Sequence, residues 1–471
     1  MSRNGGKSSR PARASGGLGA GSNDNEDSGS TLSRIHATLD AIEEANGRLH
    51  AFSEITPEHA LGGAEMADKL ASVGARLGPL HGLPIVVKDI IDVTGLPTRA
   101  GSLTRKTAKA VNYDAQVVSR LRAAGAIVVA KTNTVEYAFG GWGTNETAGT
   151  PRNPWDLKVH RVPGGSSSGT GVAVGAGLVP AGLGTDTGGS VRQPAALCGC
   201  VGLKTSIGLV GRSGVTPLCG VFDTIGPLTD TVRRAALMLS VMQGEDPLDR
   251  STQGIQRADP LADLDRGVEG LRLGRLRDED MPLMTAEVAK SFKAALAKLE
   301  QLGAIITPFK PPRTLEDYTR RCGTIIAVEA YAHYGDLVED PKSQLNTAIR
   351  TRMLTGKAIS GADLLRAEAE RQIAMPEFLA HMDRLDAVLL PTIPFPAIPV
   401  AEVDETQVPL GVHNRFVNYL ELCGLAVPMG LSAKGLPLSL QIVARRFDDP
   451  LALRIGQAYE TARGPFAKPA I

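Results

Sequence analysis

The chain has 471 residues, 42% hydrophobic and 21% charged, the proportions of a globular protein long enough to bury a sizeable core. Lys and Arg number 51 against 50 Asp and Glu, so the net charge of +1 gives no bulk field favouring nucleic acid or an acidic membrane surface. No run of 18 apolar residues occurs, which argues against a membrane-spanning helix. Five scattered cysteines (Cys198, Cys200, Cys219, Cys322 and Cys423) make no disulfide framework and fit a reducing, cytoplasmic compartment. Cys198 and Cys200 have no second pair and no nearby histidine, so no metal site is expected and the thiols read as buried apolar groups.

Residues 1–22 carry Arg3, Lys7, Arg10 and Arg13 and no acid, but beyond Met1 only Leu18 is a large aliphatic residue. That stretch can form neither an amphipathic transit helix nor a signal core, so residues 1–30 are expected to be a disordered tail. From Thr31 onward, Leu32, Ile35, Leu39 and Ile42 recur at three- and four-residue steps, predicting a helix capped by Thr31 or Ser33 and ended by Gly47. A second helical pattern covers 57–75. Ile85-Val86-Val87 predicts a buried strand, 114–124 a helix closed by Gly125, and 126–130 another strand. This rhythm predicts an α/β architecture. Small residues over 171–183 predict a tightly packed helix, and from about 228 to 375 the chain turns helical and more polar, with patterns such as 286–302 and 361–373. A strand is expected at 386–390, leading into the proline-rich 391–396, then a strand at 437–444 and a terminal helix at 449–462. No repeat or low-complexity linker interrupts 31–471, which predicts one folded unit.

Two serine-glycine clusters dominate the middle of the chain. The first is Pro163-Gly164-Gly165-Ser166-Ser167-Ser168-Gly169 and the second Gly184-Thr185-Asp186-Thr187-Gly188-Gly189-Ser190-Val191-Arg192, with Ser166 and Ser190 standing 24 positions apart. Glycines around a serine let backbone amides approach a reacting atom. A serine nucleophile also needs a base, and neither cluster holds a histidine. Lys88, which follows the apolar run in Gly82-Leu83-Pro84-Ile85-Val86-Val87-Lys88-Asp89, is the candidate. Phosphate-binding glycine loops are a competing reading, but neither the dinucleotide nor the phosphate-loop pattern stands at a strand-to-helix step. Gly165-Ser166-Ser167-Ser168-Gly169 also fits a Gly-x-Ser-x-Gly elbow with Ser167 as nucleophile and His333, His381 or His413 downstream, although Val162-Pro163 is a poor lead-in strand.

These motifs resemble the amidase signature family of Ser-Ser-Lys hydrolases. The similarity rests on 82–89, on Gly149-Thr-Pro-Arg-Asn-Pro-Trp-Asp156, on 163–206, on Asp223-Thr-Ile-Gly-Pro227 and on Gly435-Leu-Pro-Leu-Ser-Leu-Gln-Ile-Val443, in family order, and is weakest over 245–380. The resemblance implies the amidase-signature fold, a central mixed β-sheet flanked by helices on both faces, as one domain over 31–471 with a helical N-terminal segment. It implies Ser190 as acyl-enzyme nucleophile, Ser166 as the bridging serine preceded by a cis peptide bond, and Lys88 as base. The backbone N–H groups of Thr187, Gly188, Gly189 and Ser190 would face the oxyanion. Trp142, Thr144 and Asn145 fall in the segment similar to the family's substrate-side loop. After Gly-Leu-Lys204 the family usually has Pro-Thr, where this chain has Thr205-Ser206, a change of loop stiffness rather than of chemistry.

The resemblance thus implies an amidase that uses no cofactor and cleaves a small-molecule carboxamide, with no nucleic acid or membrane partner and with a homodimer left open. Two alternatives stay in view. The region 188–204 is also similar to that of glutaminase subunits of tRNA-dependent amidotransferases, and Asn414–Pro428 resembles allophanate and other ureide hydrolases.

Overall fold

The computed structural model describes residues 29–407 and 409–471. The tail expected over 1–30 therefore lies outside the described residues except for Gly29 and Ser30. Ser30 Oγ accepts the Ser33 N–H at 3.1 Å and caps α1 (Thr31–Leu49), which buries Ile35, Leu39 and Ile42. The cap stands one residue ahead of the expected Thr31, and Gly47 lies within the helix, which ends at His50 in the left-handed region (φ 52°).

β1 (Phe52–Ile55) and α2 (Pro57–Ser72) follow, then β2 (Pro84–Lys88), α3 (Gln116–Ala123) and β3 (Ile127–Thr132). α4 (Ser168–Gly175) leads to β4 (Ala181–Asp186), α5 (Arg192–Cys198), β5 (Val201–Lys204), β6 (Thr224–Thr229) and α6 (Val232–Met242). The next stretch carries β7 (Arg272–Leu276), α7 (Ala286–Gln301), β8 (Ile305–Phe309), α8 (Leu315–Glu339), α9 (Thr347–Leu354) and α10 (Gly361–His381). β9 (Ala387–Pro391), the short α11 (Arg415–Tyr419), β10 (Cys423–Leu431), β11 (Pro437–Ala444) and α12 (Asp449–Arg463) complete the chain.

All eleven described strands join one sheet in the order β1-β3-β2-β4-β6-β5-β10-β11-β9-β7-β8. It is mixed: β2 runs parallel to both β3 and β4, β7 parallel to both β8 and β9, and the other pairs are antiparallel. Alternation along β2 builds two cores. Ile85 and Val87 pack with Val117 and Leu121 of α3 and Leu239 of α6, while Val86 packs with Ile35 of α1, Ala64 of α2 and Val172 of α4. Helices thus cover both faces of the sheet.

Two expectations are corrected. The helix predicted over 171–183 stops at Gly175, and the chain re-enters the sheet as β4. Glycines mask this strand, since they carry no side-chain alternation, yet packing requires one of them: a Cβ on Gly182 would lie 2.6 Å from Val86 Cγ2. The region 228–375 is not wholly helical, because β7 and β8 are five-residue strands set between longer helices whose periodicity dominates any sequence window. For the site, the decisive pairing is the parallel one of β2 with β4, whose carboxyl ends place Lys88 beside Thr185.

Candidate active site

Lys88 closes β2 and is fully buried. Its Nζ donates to Ser166 Oγ at 2.7 Å and to Thr185 Oγ1 at 2.8 Å. Burial pushes the amine from its ordinary 10.5 down to about 7, against an upward pull from the Asp223 and Asp186 carboxylates. Near neutrality a large fraction of Lys88 therefore carries a free lone pair.

Ser166 is reached through a cis peptide bond from Gly165. Its carbonyl accepts the Thr134 hydroxyl at 2.8 Å and the Val135 N–H at 3.2 Å, which locks the loop ahead of α4. The Ser167 N–H donates to the Ser190 carbonyl at 3.2 Å, joining the two serine clusters. Ser167 itself is fully buried and its hydroxyl donates to the Thr185 carbonyl at 3.3 Å. No described histidine bonds to it, since His381 Nδ1 meets Glu377 O and His413 Nδ1 meets Pro391 O, both at 3.0 Å, and His333 lines a separate cavity. The elbow reading is left without a base. Gly169 is required by close approach, as a Cβ there would stand 2.2 Å from the Ala51 carbonyl oxygen.

The turn after β4 is organised by Asp186. Its Oδ1 accepts the Gly189 N–H at 2.8 Å, Arg192 Nη2 at 2.9 Å and Asn418 Nδ2 at 2.9 Å. Its Oδ2 accepts the Val191 N–H at 3.1 Å and Arg192 Nε at 3.0 Å. Burial would raise the Asp186 carboxyl, but Arg192, Lys204 and Asn418 overcome it and hold the group well below the usual carboxylate range. Arg192 is also fully buried and donates onward to Asn414 O, Asn418 Oδ1 and Gln441 Oε1.

This arrangement narrows the expected oxyanion donors. Gly189, at φ 124° in a conformation that suits glycine, commits its N–H to Asp186, because that bond closes the turn. The N–H groups of Thr187, Gly188 and Ser190 donate to no described residue. Ser190 itself is 8% exposed and its hydroxyl has no described partner. It lines a cavity of about 50 Å³ together with Phe139, Trp142, Gly188, Arg352 and Arg415. A neighbouring cavity of about 240 Å³ shares Ala138, Thr187 and Leu218 with it and is walled by Thr185, Arg212 and Asp223.

Of the three loop residues singled out in the sequence, Trp142 lines the Ser190 cavity and is buried. Asn145 is consumed in bracing its own loop: Nδ2 donates to Gly101 O at 2.8 Å and Thr134 O at 2.9 Å, and Oδ1 accepts the Ala148 N–H at 2.9 Å. The Thr144 hydroxyl donates to Glu405, which also pairs with Arg352. Sequence reasoning missed Thr185 as the second partner of Lys88 and both cavity arginines. Arg415 lies within the flagged 414–428 stretch, but nothing in the spacing tied it to serines more than 220 residues upstream.

A tight, glycine-rich serine turn thus lies over a buried lysine at the carboxyl ends of parallel strands, with no described histidine hydrogen-bonded to Ser166 or Ser190. The chain matches the Amidase family model over residues 34–453 and belongs to that family, enzymes that act on amide C–N bonds. It is 33% identical over 461 residues to a glutamyl-tRNA(Gln) amidotransferase subunit of Geobacter metallireducens, covering 92% of this chain and 94% of that one. A solved structure from a vestigial protein complex bearing on the origins of an s-triazine catabolic enzyme superposes with a TM-score of 0.87 at 29% identity, covering 94% and 97% of the two chains. Native peptide amidase from Stenotrophomonas maltophilia superposes with a TM-score of 0.83 at 30% identity, covering 94% and 95%.

Proposed function

We propose that the chain hydrolyses the C–N bond of a small carboxamide through a Ser190 acyl-enzyme, with Lys88 and Ser166 carrying the proton. The observation that supports this reading is the buried amine poised near neutrality and hydrogen-bonded to Ser166 at 2.7 Å. As Ser190 Oγ bonds to the substrate carbonyl carbon, its proton passes to Ser166 Oγ while the Ser166 proton passes to Lys88 Nζ. The carbonyl oxygen takes the negative charge and faces the uncommitted N–H groups of Thr187, Gly188 and Ser190, each worth about 10²–10³ in rate. Return of the proton along the same path to the nitrogen breaks the C–N bond and releases ammonia or an amine. Water then repeats the sequence on the ester. Ser190→Ala should abolish ammonia release from a panel of aliphatic, aromatic and ureide amides and abolish labelling by a fluorophosphonate; near-normal turnover in that variant would sink the mechanism.

A second reading is favoured by similarity to the Geobacter amidotransferase chain over 92% of this sequence. In it, the same chemistry acts on glutamine and a partner chain receives the ammonia. This reading predicts low activity for the chain alone, and co-purification with a partner that restores it.

A further inference from the structure

The polar side chains that wall the Ser190 cavity are mostly donors. The guanidinium groups of Arg352 and Arg415 only donate, as does the indole of Trp142, whose Nε1–H has no partner among the described residues. Thr187 turns its hydroxyl to Asp223, and Gln407 is exposed. Besides Ser190 itself, one buried side chain of this wall offers an acceptor among the described residues: Gln193, which is 2% exposed.

Gln193 stands one helical turn after Ser190. Its N–H donates to Gly189 O at 2.7 Å, so helical geometry already spans the serine turn and the two side chains share a face. Its Nε2 donates to Gly188 O at 3.3 Å and to Leu410 O at 3.1 Å. Those two carbonyls decide which way the amide points, because an oxygen in place of Nε2 would face two acceptors. Oε1 lies at the other end and accepts from no described residue. The side chain is seated between two glycines: a Cβ on Gly189 would stand 2.4 Å from Nε2, and one on Gly141 would stand 2.8 Å from Oε1. Gly141 O in turn accepts the Gly165 N–H at 2.7 Å. The free oxygen thus stands beside the segment that leads into Ser166.

We infer that Gln193 Oε1 accepts an N–H of the scissile amide and so restricts the chain to carboxamides that carry one. The inference rests on the amidase reading of the same site and adds its discrimination against esters and N,N-disubstituted amides. The substrate carbonyl oxygen takes the N–H donors of the turn, the amide N–H takes Oε1, and the nitrogen lone pair is left for the proton carried by Ser166. An ester sets an oxygen lone pair against Oε1 instead. Acceptor then faces acceptor in a buried site, which is how a polar site rejects an analogue that lacks the matching N–H.

The test pairs the primary amide turned over fastest with its own methyl ester, as hexanamide with methyl hexanoate or benzamide with methyl benzoate, using the full chain. Release of the common acid follows both. The two compounds feed one acyl-enzyme, so kcat/KM reports the step that breaks the C–N or C–O bond. The wild type should favour the amide, although an ester is the more reactive acyl compound. Gln193→Met, which has no such acceptor, should lower the amide-to-ester ratio by on the order of 10- to 100-fold. Gln193→Glu keeps an oxygen there and gives up both Nε2 bonds, so it should slow both compounds and hold the ratio within about threefold of wild type. A merely structural Gln193 would slow both compounds equally in either variant. A wild type that prefers the ester, or a Gln193→Met ratio within about threefold of wild type, would overturn the assignment. The wild-type preference decides the matter where Gln193→Met does not fold. Failure of the amidase reading looks different: Ser190→Ala would keep its turnover, or the wild type would release acid from neither class.

Discussion

Replacing Lys88 with methionine should remove activity and yet make the protein gain relative stability at neutral pH. The folded state lowers the Lys88 pKa from 10.5 to about 7, so between these values the unfolded chain holds a proton that the folded chain sheds. Stability then rises with pH across that window; the penalty for burying Lys88 is present in full below pH 7 and gone above about 10.5. From pH 7 to pH 9 the wild type should therefore gain about 2 kcal/mol relative to Lys88→Met, which has no such group. Methionine also strands the Ser166 and Thr185 hydroxyls, at about 1 kcal/mol each, but that loss is the same at both pH values and cancels in the difference. Urea unfolding of both proteins at pH 7 and pH 9 measures it. In parallel, wild-type kcat/KM should climb through a single limb near pH 7, and the variant should lose about 10²–10⁴ in rate. A pH-dependent stability difference below about 0.5 kcal/mol, or an activity limb several pH units higher, would refute the assignment of Lys88 as a buried, neutral base.

Asp186→Asn should unsettle both fold and site. It breaks the fully buried pair with Arg192, a loss of about 3–5 kcal/mol, which thermal unfolding would register as a lowered Tm. Gly189→Ala should lower kcat far more than it changes KM, because a Cβ there would stand 2.4 Å from Gln193 Nε2 on a backbone at φ 124°. Steady-state kinetics on any accepted amide separates the two constants, and unchanged kcat would contradict the tight turn.

How far the chain could be read in advance depended on local signals. β2 and β3 announce themselves by branched apolar residues bounded by turns, and β11 by its run at 437–444. β4 does not, because Gly182 and Gly184 carry no side-chain alternation and all six residues are buried. β5, β6 and β10 are similarly hidden, and their partners lie far along the chain: β10 closes on β5 by pairing Gly424 with Lys204. The serines and Lys88 were legible because motif spacing survives in one dimension. The commitment of the Gly189 N–H to Asp186 and the approach of Arg415 to Gly188 were not, since each depends on a contact that no pattern of neighbours encodes.

The bonding of Arg192 bears on when this protein becomes an enzyme. Its partners Asn414, Asn418 and Gln441 lie 222, 226 and 249 residues downstream, so the turn that carries Ser190 is braced by chain made long after Ser190 itself. A polypeptide still being synthesised has both serines and the lysine in place without the scaffold that aims them. The brace on the Ser190 turn is therefore complete only with the last strands, and a truncation ahead of Gln441 leaves Lys88, Ser166 and Ser190 in the chain without one of the side chains that hold Arg192.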